Sequence, residues 1–126
     1  MLTIPKRVMI VEDDADFAES ITMILESAGY RVESASGGED CFALLKLNKP
    51  DLIIMDIMMN SLTEGFTIIY TLKSSEEYRS IPVIVVSAIV KHTGFAVDTD
   101  FLQIETYLEK PLSPQSLLDN VRRLTA

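Results

Sequence analysis

The sequence has little or none of several features, and each shortage narrows what the chain can be. Its single cysteine, Cys41, excludes an internal disulfide and suits a reducing cytoplasm. The longest apolar run, residues 81–90, is broken by Pro82 and Ser87 and is too short to span a bilayer. Residues 1–7 lack the apolar segment of a secretory signal. We therefore expect a cytoplasmic protein with no membrane partner.

Basic residues are also scarce. The 11 lysines and arginines stand against 19 aspartates and glutamates, which gives a formal net charge of −8. Binding to a phosphate backbone needs clustered positive charge, and no basic stripe is visible, so we expect no direct nucleic-acid binding. A chain of 126 residues with 48% hydrophobic residues is typical of one folded domain with a real core. We expect residues 1–126 to form that single domain.

Short apolar runs alternate with segments of helical periodicity along the chain. Strands are predicted at residues 7–11, 31–34, 52–56, 83–87 and 106–109, and helices at 15–28, 36–46, about 65–74 and 114–124. Residues 89–105 should hold a further helix, but Thr93-Gly94 and poor periodicity predict that it is short, displaced or mobile. Strands separated by helices imply right-handed crossovers and a parallel sheet. We predict an α/β fold of the flavodoxin-like, doubly wound type, with five parallel strands in the order 2-1-3-4-5 between two helical layers.

Helix ends carry their own signals. Asp14 is a predicted N-cap of the first helix, and Gly29 is predicted to end it. The stretch "SGGE", beginning at Ser36, has the spacing of a capping box for the second helix. Ser113 followed by Pro114 predicts the start of the last helix.

Three acidic residues follow or end predicted strands. Asp56 interrupts the apolar run "DLIIMDIMMN", where an ionised carboxylate costs several kcal/mol unless it is paired. Glu12 and Asp13 directly follow the first strand, so these three carboxylates should converge at the carboxyl edge of the sheet. Like charges ~4 Å apart repel by roughly 4 kcal/mol at an effective dielectric near 20. Either one carboxyl group is protonated, or a hard divalent cation such as Mg²⁺ is bound.

The next two strands end in groups that bind phosphoryl oxygens. Ser87 ends "IPVIVVSA", and Lys110 follows "TYLE", so a hydroxyl and an ammonium group should meet the carboxylates at the same edge.

With these residues in place, the sequence resembles the response-regulator receiver domain of two-component signalling, including its chemotaxis-regulator members. The resemblance extends from "VMIVEDD" through "LIIMDIMM" and "PVIVVSA" to "TYLEKP". It implies that Asp56 is the phosphoacceptor and that Glu12 and Asp13 hold Mg²⁺, with Asp13 favoured as the direct ligand. It also implies that the backbone carbonyl of Met58 completes the protein ligands.

The resemblance assigns roles to the later motifs as well. Ser87 and Lys110 correspond to the residues that contact the phosphoryl group, and Ser87 with Tyr107 corresponds to the conformational switch. The Lys110–Pro111 peptide is implied to be cis, which an X-Pro bond permits.

The same resemblance predicts partners. The phosphoryl donor would be a histidine kinase or a histidine phosphotransfer protein, and the receiver of the signal a downstream protein or a separate output domain. A homodimer would use the face made by the fourth helix, fifth strand and fifth helix. We expect no enzyme in the ordinary sense, but a phosphoacceptor that assists its own phosphotransfer. Its self-hydrolysis is predicted to be slow, because Met58 and Ile89, which would flank the attacking water, are apolar.

The chain departs from the usual family pattern in two places. Asn60 stands where proline is common and Gly65 comes one position late, which predicts a reshaped loop over residues 57–65. Gln103 and Ile104 replace the usual Gly-Ala pair before the switch aromatic.

Other functions fit less well. A phosphorylation-independent binding module of the same fold is the main alternative, and acetyl phosphate or beryllofluoride treatment would distinguish it. An aspartate-nucleophile phosphatase needs Asp-x-Asp, but Met58 occupies the second acidic position. Cys41, on an amphipathic helix, is interpreted as a packing residue.

Overall fold

A computed structural model describes residues 4–57, 62–87 and 99–126. The elements, in chain order, are β1 (Arg7–Val11), α1 (Ala15–Ser27), β2 (Arg31–Ala35), α2 (Gly38–Leu47), β3 (Leu52–Asp56), α3 (Leu62–Ser74), β4 (Val83–Ser87), α4 (Thr99–Leu102), β5 (Thr106–Glu109) and α5 (Pro114–Thr125). The strands form one parallel sheet in the order β2-β1-β3-β4-β5. This topology confirms the predicted fold class. Within the described ranges, every helix is too short or too polar to cross a membrane.

Two apolar layers cover the two faces of the sheet. Successive strand residues point to opposite faces, so Met9 and Val11 of β1 pack with α2 and α3, whereas Val8 and Ile10 pack with α1 and α5. Strands β3 and β4 are buried at every position, as expected of parallel strands covered on both sides. These rigid central strands fix the positions of the residues at their carboxyl ends.

Most helix ends form as the sequence predicts. The Asp14 carboxylate accepts the backbone N–H groups of Asp16 and Phe17 at 3.0 and 3.2 Å, which caps α1. Gly29 follows α1 with φ of +96°, a conformation that glycine adopts without steric cost. The Ser113 hydroxyl caps α5 by accepting the backbone N–H of Ser116 at 3.3 Å.

The capping box predicted at Ser36 is wrong. Helix α2 begins at Gly38 after the N-cap Gly37, and the Ser36 hydroxyl instead donates to Asp40 Oδ2 at 2.6 Å. The backbone N–H of Gly38 donates to Oε1 of Glu64, in the first turn of α3, at 3.2 Å. A Cβ atom on Gly37 would lie only 2.7 Å from that oxygen, so a side chain at residue 37 would displace the Glu64 carboxylate from this position. A carboxylate from another helix therefore replaces the local cap.

Helix α3 begins at Leu62, earlier than the predicted start near Gly65. Gly65 lies so close to the backbone after β3 that a Cβ atom at this position would be 2.6 Å from the carbonyl oxygen of Ile57. Residue 65 therefore sets how closely α3 approaches the end of β3. Residues 58–61 of the loop predicted to be reshaped lie outside the described ranges, as do Met58 and Ile89, to which the resemblance gives roles.

The segment before β5 is described from residue 99. It contains the four-residue helix α4, and the prediction for residues 89–98 falls outside the described residues. Gln103 has φ of 59°, the left-handed region in which glycine is usual. The chain thus keeps a glycine-like backbone where the family's Gly-Ala pair is missing.

Candidate functional site

The carboxyl ends of β1, β3, β4 and β5 place four predicted site residues at one edge of the sheet. Glu12 follows β1, Asp56 ends β3, Ser87 ends β4, and Lys110 follows β5. The parallel register pairs Val11 with Met55 and Asp56 with Val86, so the strand ends lie side by side.

Three carboxylates converge at this edge. Glu12, Asp13 and Asp56 each offer an oxygen atom within 4.8 Å of the others. Glu12 and Asp56 are each only 4% exposed, whereas Asp13 is exposed. The cluster is therefore closed on the side of the core and open to solvent at Asp13.

Lys110 provides the positive charge that Asp56 needs. Its Nζ donates to Oε1 of Glu12 at 2.9 Å and to Oδ2 of Asp56 at 3.1 Å. The same Nζ lies 3.9 Å from the centroid of the Phe17 ring. The sequence analysis gave Phe17 no role at this site. The signal that it missed is the position of Phe17 in the first turn of α1, which begins two residues after Asp13.

The pKa values reflect this crowding of charge. Burial raises the pKa of Glu12 to about 7; the hydrogen bond from Lys110 opposes this rise, and the nearby Asp56 carboxylate adds to it. Burial would lower the pKa of Lys110, but its hydrogen bonds and ion pairs with Glu12 and Asp56 outweigh burial and raise it. Three carboxylates thus face one ammonium group. The excess of negative charge favours binding of a further cation or of a proton.

The oxygen-only donor set fits Mg²⁺. This ion prefers carboxylate and water ligands and is usually held by one or two carboxylates while it keeps several waters. The two buried carboxylates and the exposed Asp13 provide such ligands, with open space on the solvent side. The carbonyl of Met58, the fourth predicted ligand, lies outside the described residues.

Ser87 connects the site to Tyr107. Ser87 is fully buried, and its backbone carbonyl accepts both the Tyr107 hydroxyl at 3.1 Å and the backbone N–H of Lys110 at 3.2 Å. Burial, together with the negative charges of Glu109 and Asp56, raises the pKa of Tyr107. The Lys110–Pro111 peptide is cis, as the resemblance implies.

Cys41 lies away from this edge. It is fully buried in α2, its Sγ is 3.9 Å from Sδ of Met9, and burial raises the pKa of its thiol to about 12. These features are those of a packing residue.

The family model of the response regulator receiver domain matches residues 8–122. The chain belongs to this family. The matched range contains every residue of the acidic cluster together with Ser87, Tyr107 and Lys110.

Individual relatives support membership of the receiver family. The receiver domain is 33% identical to PilH of Pseudomonas aeruginosa, over 95% of this chain and 98% of that protein. It is 34% identical to the DNA-binding dual master transcriptional regulator RpaA of Synechocystis, covering 94% of this chain but 48% of RpaA. The receiver domain therefore spans about half the length of some curated relatives and nearly all of others.

A solved receiver-domain structure also matches this chain. The receiver domain of a signal transduction histidine kinase from Syntrophus aciditrophicus matches with a TM-score of 0.79 and 30% identity, over 95% of this chain and 89% of that one. Receiver domains thus occur both in regulators and in kinases among the proteins that this chain resembles.

Proposed function

We propose that this receiver domain is a phosphoacceptor switch of a two-component system and that Asp56 takes the phosphoryl group. The observation that carries the proposal is a buried Asp56 carboxylate, hydrogen-bonded to Lys110, beside two further carboxylates. The donor is the phosphohistidine of a histidine kinase or of a histidine phosphotransfer protein. An Asp56 oxygen forms the new P–O bond as the P–N bond to the donor imidazole breaks, and the imidazole leaves with the electron pair.

The surrounding residues have separate tasks in this transfer. Asp56 is oriented by the Lys110 ammonium group, which also offers a positive charge to the incoming phosphoryl oxygens. Glu12, Asp13 and Asp56 would hold Mg²⁺, which when bound supplies charge neutralisation for the phosphoryl oxygens. The Ser87 hydroxyl is assigned to one of these oxygens.

The switch follows from the new charge. A phosphorylated side chain carries roughly −1.5 to −2 charges near pH 7. Attraction of Ser87 towards it would disturb the carbonyl that holds the Tyr107 hydroxyl. The face that includes β5 and α5 would then favour binding of a downstream protein, an output domain or a second copy of this chain. We place this activity in the cytoplasm and expect the phosphoryl group to be lost slowly by self-hydrolysis.

Intact-mass spectrometry tests the phosphoacceptor role. After treatment with acetyl phosphate or phosphoramidate and Mg²⁺, the protein should gain the mass of one phosphoryl group. Asp56→Asn should abolish this gain, because the amide is not a nucleophile. Asp119→Asn, which changes an exposed carboxylate of α5, is the matched control and should be labelled like the unchanged protein.

Beryllofluoride separates this proposal from its main alternative. If the protein takes no phosphoryl group from any donor, and if its amide spectrum at Ser87 and Tyr107 does not change with beryllofluoride and Mg²⁺, the switch is excluded. That result would favour a phosphorylation-independent binding module with the same fold.

A further inference from the structure

The ammonium group of Lys110 has a third neighbour besides the two carboxylates. Nζ donates to Glu12 and Asp56 at 2.9 and 3.1 Å, and it lies 3.9 Å from the centroid of the Phe17 ring. This distance is within the range of an effective cation–π contact. The Lys110 side chain is 22% exposed, so the ring shares the task of surrounding a charge that is only partly open to water.

The fold fixes the position of the Phe17 ring. The backbone N–H of Phe17 donates to the Asp14 cap at 3.2 Å, which holds the first turn of α1. The half-buried ring also packs against the apolar layer between α1, α5 and the sheet. The position of Phe17 is thus fixed by contacts of both its backbone and its side chain that do not involve Lys110.

We propose that Phe17 is a positioning residue that holds the Lys110 ammonium beside Asp56 for phosphoryl transfer. The lysine side chain has a flexible four-carbon stem, so without this contact its ammonium group would sample many positions. A ring attracts an ammonium group through its whole face, so Nζ keeps this support while it exchanges a carboxylate partner for a phosphoryl oxygen. This inference rests on the proposed function, since it concerns the same lysine.

Substitution of the ring tests the contact. Phe17→Leu keeps an apolar side chain but removes the π face, whereas Phe17→Tyr keeps the face. With Mg²⁺ present, Phe17→Leu should weaken beryllofluoride binding by about threefold to tenfold, and Phe17→Tyr should stay within about twofold. Ile24→Ala is the matched control, because Ile24 packs in the same layer from the same helix. It should lower stability without changing beryllofluoride binding.

A double-mutant cycle shows whether Phe17 acts through Lys110. In a Lys110→Met background, Phe17→Leu should have no further effect on beryllofluoride binding. A loss of the same size in both backgrounds, or unchanged binding in Phe17→Leu alone, would overturn the proposal. If Phe17→Leu does not fold, Phe17→Met removes the same ring and takes its place.

Nuclear magnetic resonance provides a readout that needs neither metal nor phosphoryl donor. The ring current of Phe17 should shift the Lys110 Hε protons upfield in the metal-free protein, and Phe17→Leu should abolish that shift. Normal Hε shifts in the unchanged protein would contradict the contact itself. If the unchanged protein shows the shift but never binds beryllofluoride, the proposed function fails while the contact stands.

Discussion

Two lysines lie at opposite ends of the sheet, and each is held by hydrogen bonds and carboxylates. At the amino end, Nζ of Lys73 donates to the carbonyl oxygens of Arg79 and Ile81 at 3.3 and 3.0 Å and lies 3.6 Å from Oε1 of Glu105. The other Glu105 oxygen accepts the backbone N–H of Val83 at 2.7 Å. At the carboxyl end, Lys110 is held by two carboxylates and an aromatic ring.

The charges balance at one end and not at the other. Lys73 faces one carboxylate, and its neighbouring carbonyls connect α3 to the segment before β4. Lys110 faces a cluster of three carboxylates, two of them buried. A balanced set of charges stabilises the fold, whereas an excess of buried negative charge is relieved by a bound cation or by a proton. From this comparison we propose a structural role for Lys73 and a functional role for Lys110.

The largest effect is expected at the balanced end. Lys73→Met should lower the free energy of unfolding by about 2 kcal/mol, because it removes the nearly buried ammonium group that binds the carbonyl of Ile81 and the carboxylate of Glu105. Chemical denaturation measures this loss, with the exposed Lys46→Met as control. Binding of Mg²⁺ should not change. A stability loss no larger than that of Lys46→Met would remove the structural role given to Lys73.

A change of opposite sign is expected at the unbalanced end. Without divalent cations, Asp56→Asn should raise the free energy of unfolding by about 1 kcal/mol, because it relieves repulsion among buried carboxylates while Lys110 keeps Glu12 as its partner. Saturating Mg²⁺ should stabilise the unchanged protein more than the variant. A clear loss of stability in metal-free Asp56→Asn would show that the cluster is balanced after all.

The third expected effect is a pH dependence of Mg²⁺ binding. Because the pKa of Glu12 is raised to about 7, this carboxyl group holds a proton below that pH and the proton competes with the cation. The apparent affinity should therefore rise as pH increases, by about tenfold between pH 6 and pH 8. Isothermal titration calorimetry measures it. Glu12→Gln should weaken binding and remove most of this pH dependence; an equal slope in both proteins would exclude Glu12 as its source.

Local sequence patterns predicted the frame of this site. Strands β1, β3, β4 and β5 have their predicted bounds, because buried parallel strands read as short apolar runs. The convergence of Glu12, Asp13 and Asp56 followed from the rule that parallel strands end at one edge. The roles given to these residues stay predictions until phosphorylation is measured.

Contacts between distant segments could not be predicted in this way. The backbone N–H of Gly38 is capped by Glu64, which lies on another helix. The Phe17 ring contacts Lys110 only because the fold packs α1 beside the end of β5. Neither pair leaves a local pattern, because only the tertiary fold brings the partners together. The left-handed Gln103 is also invisible in the sequence, since glutamine seldom adopts this conformation.

The buried Cys41 has a practical consequence for measuring the proposed switch in solution. Since its thiol is enclosed and stays protonated at ordinary pH, maleimide dyes should leave it untouched in the folded protein. A cysteine introduced on an exposed part of α5 could then be labelled alone, without removing the native one. Fluorescence from that single dye would follow movements of the surface in real time.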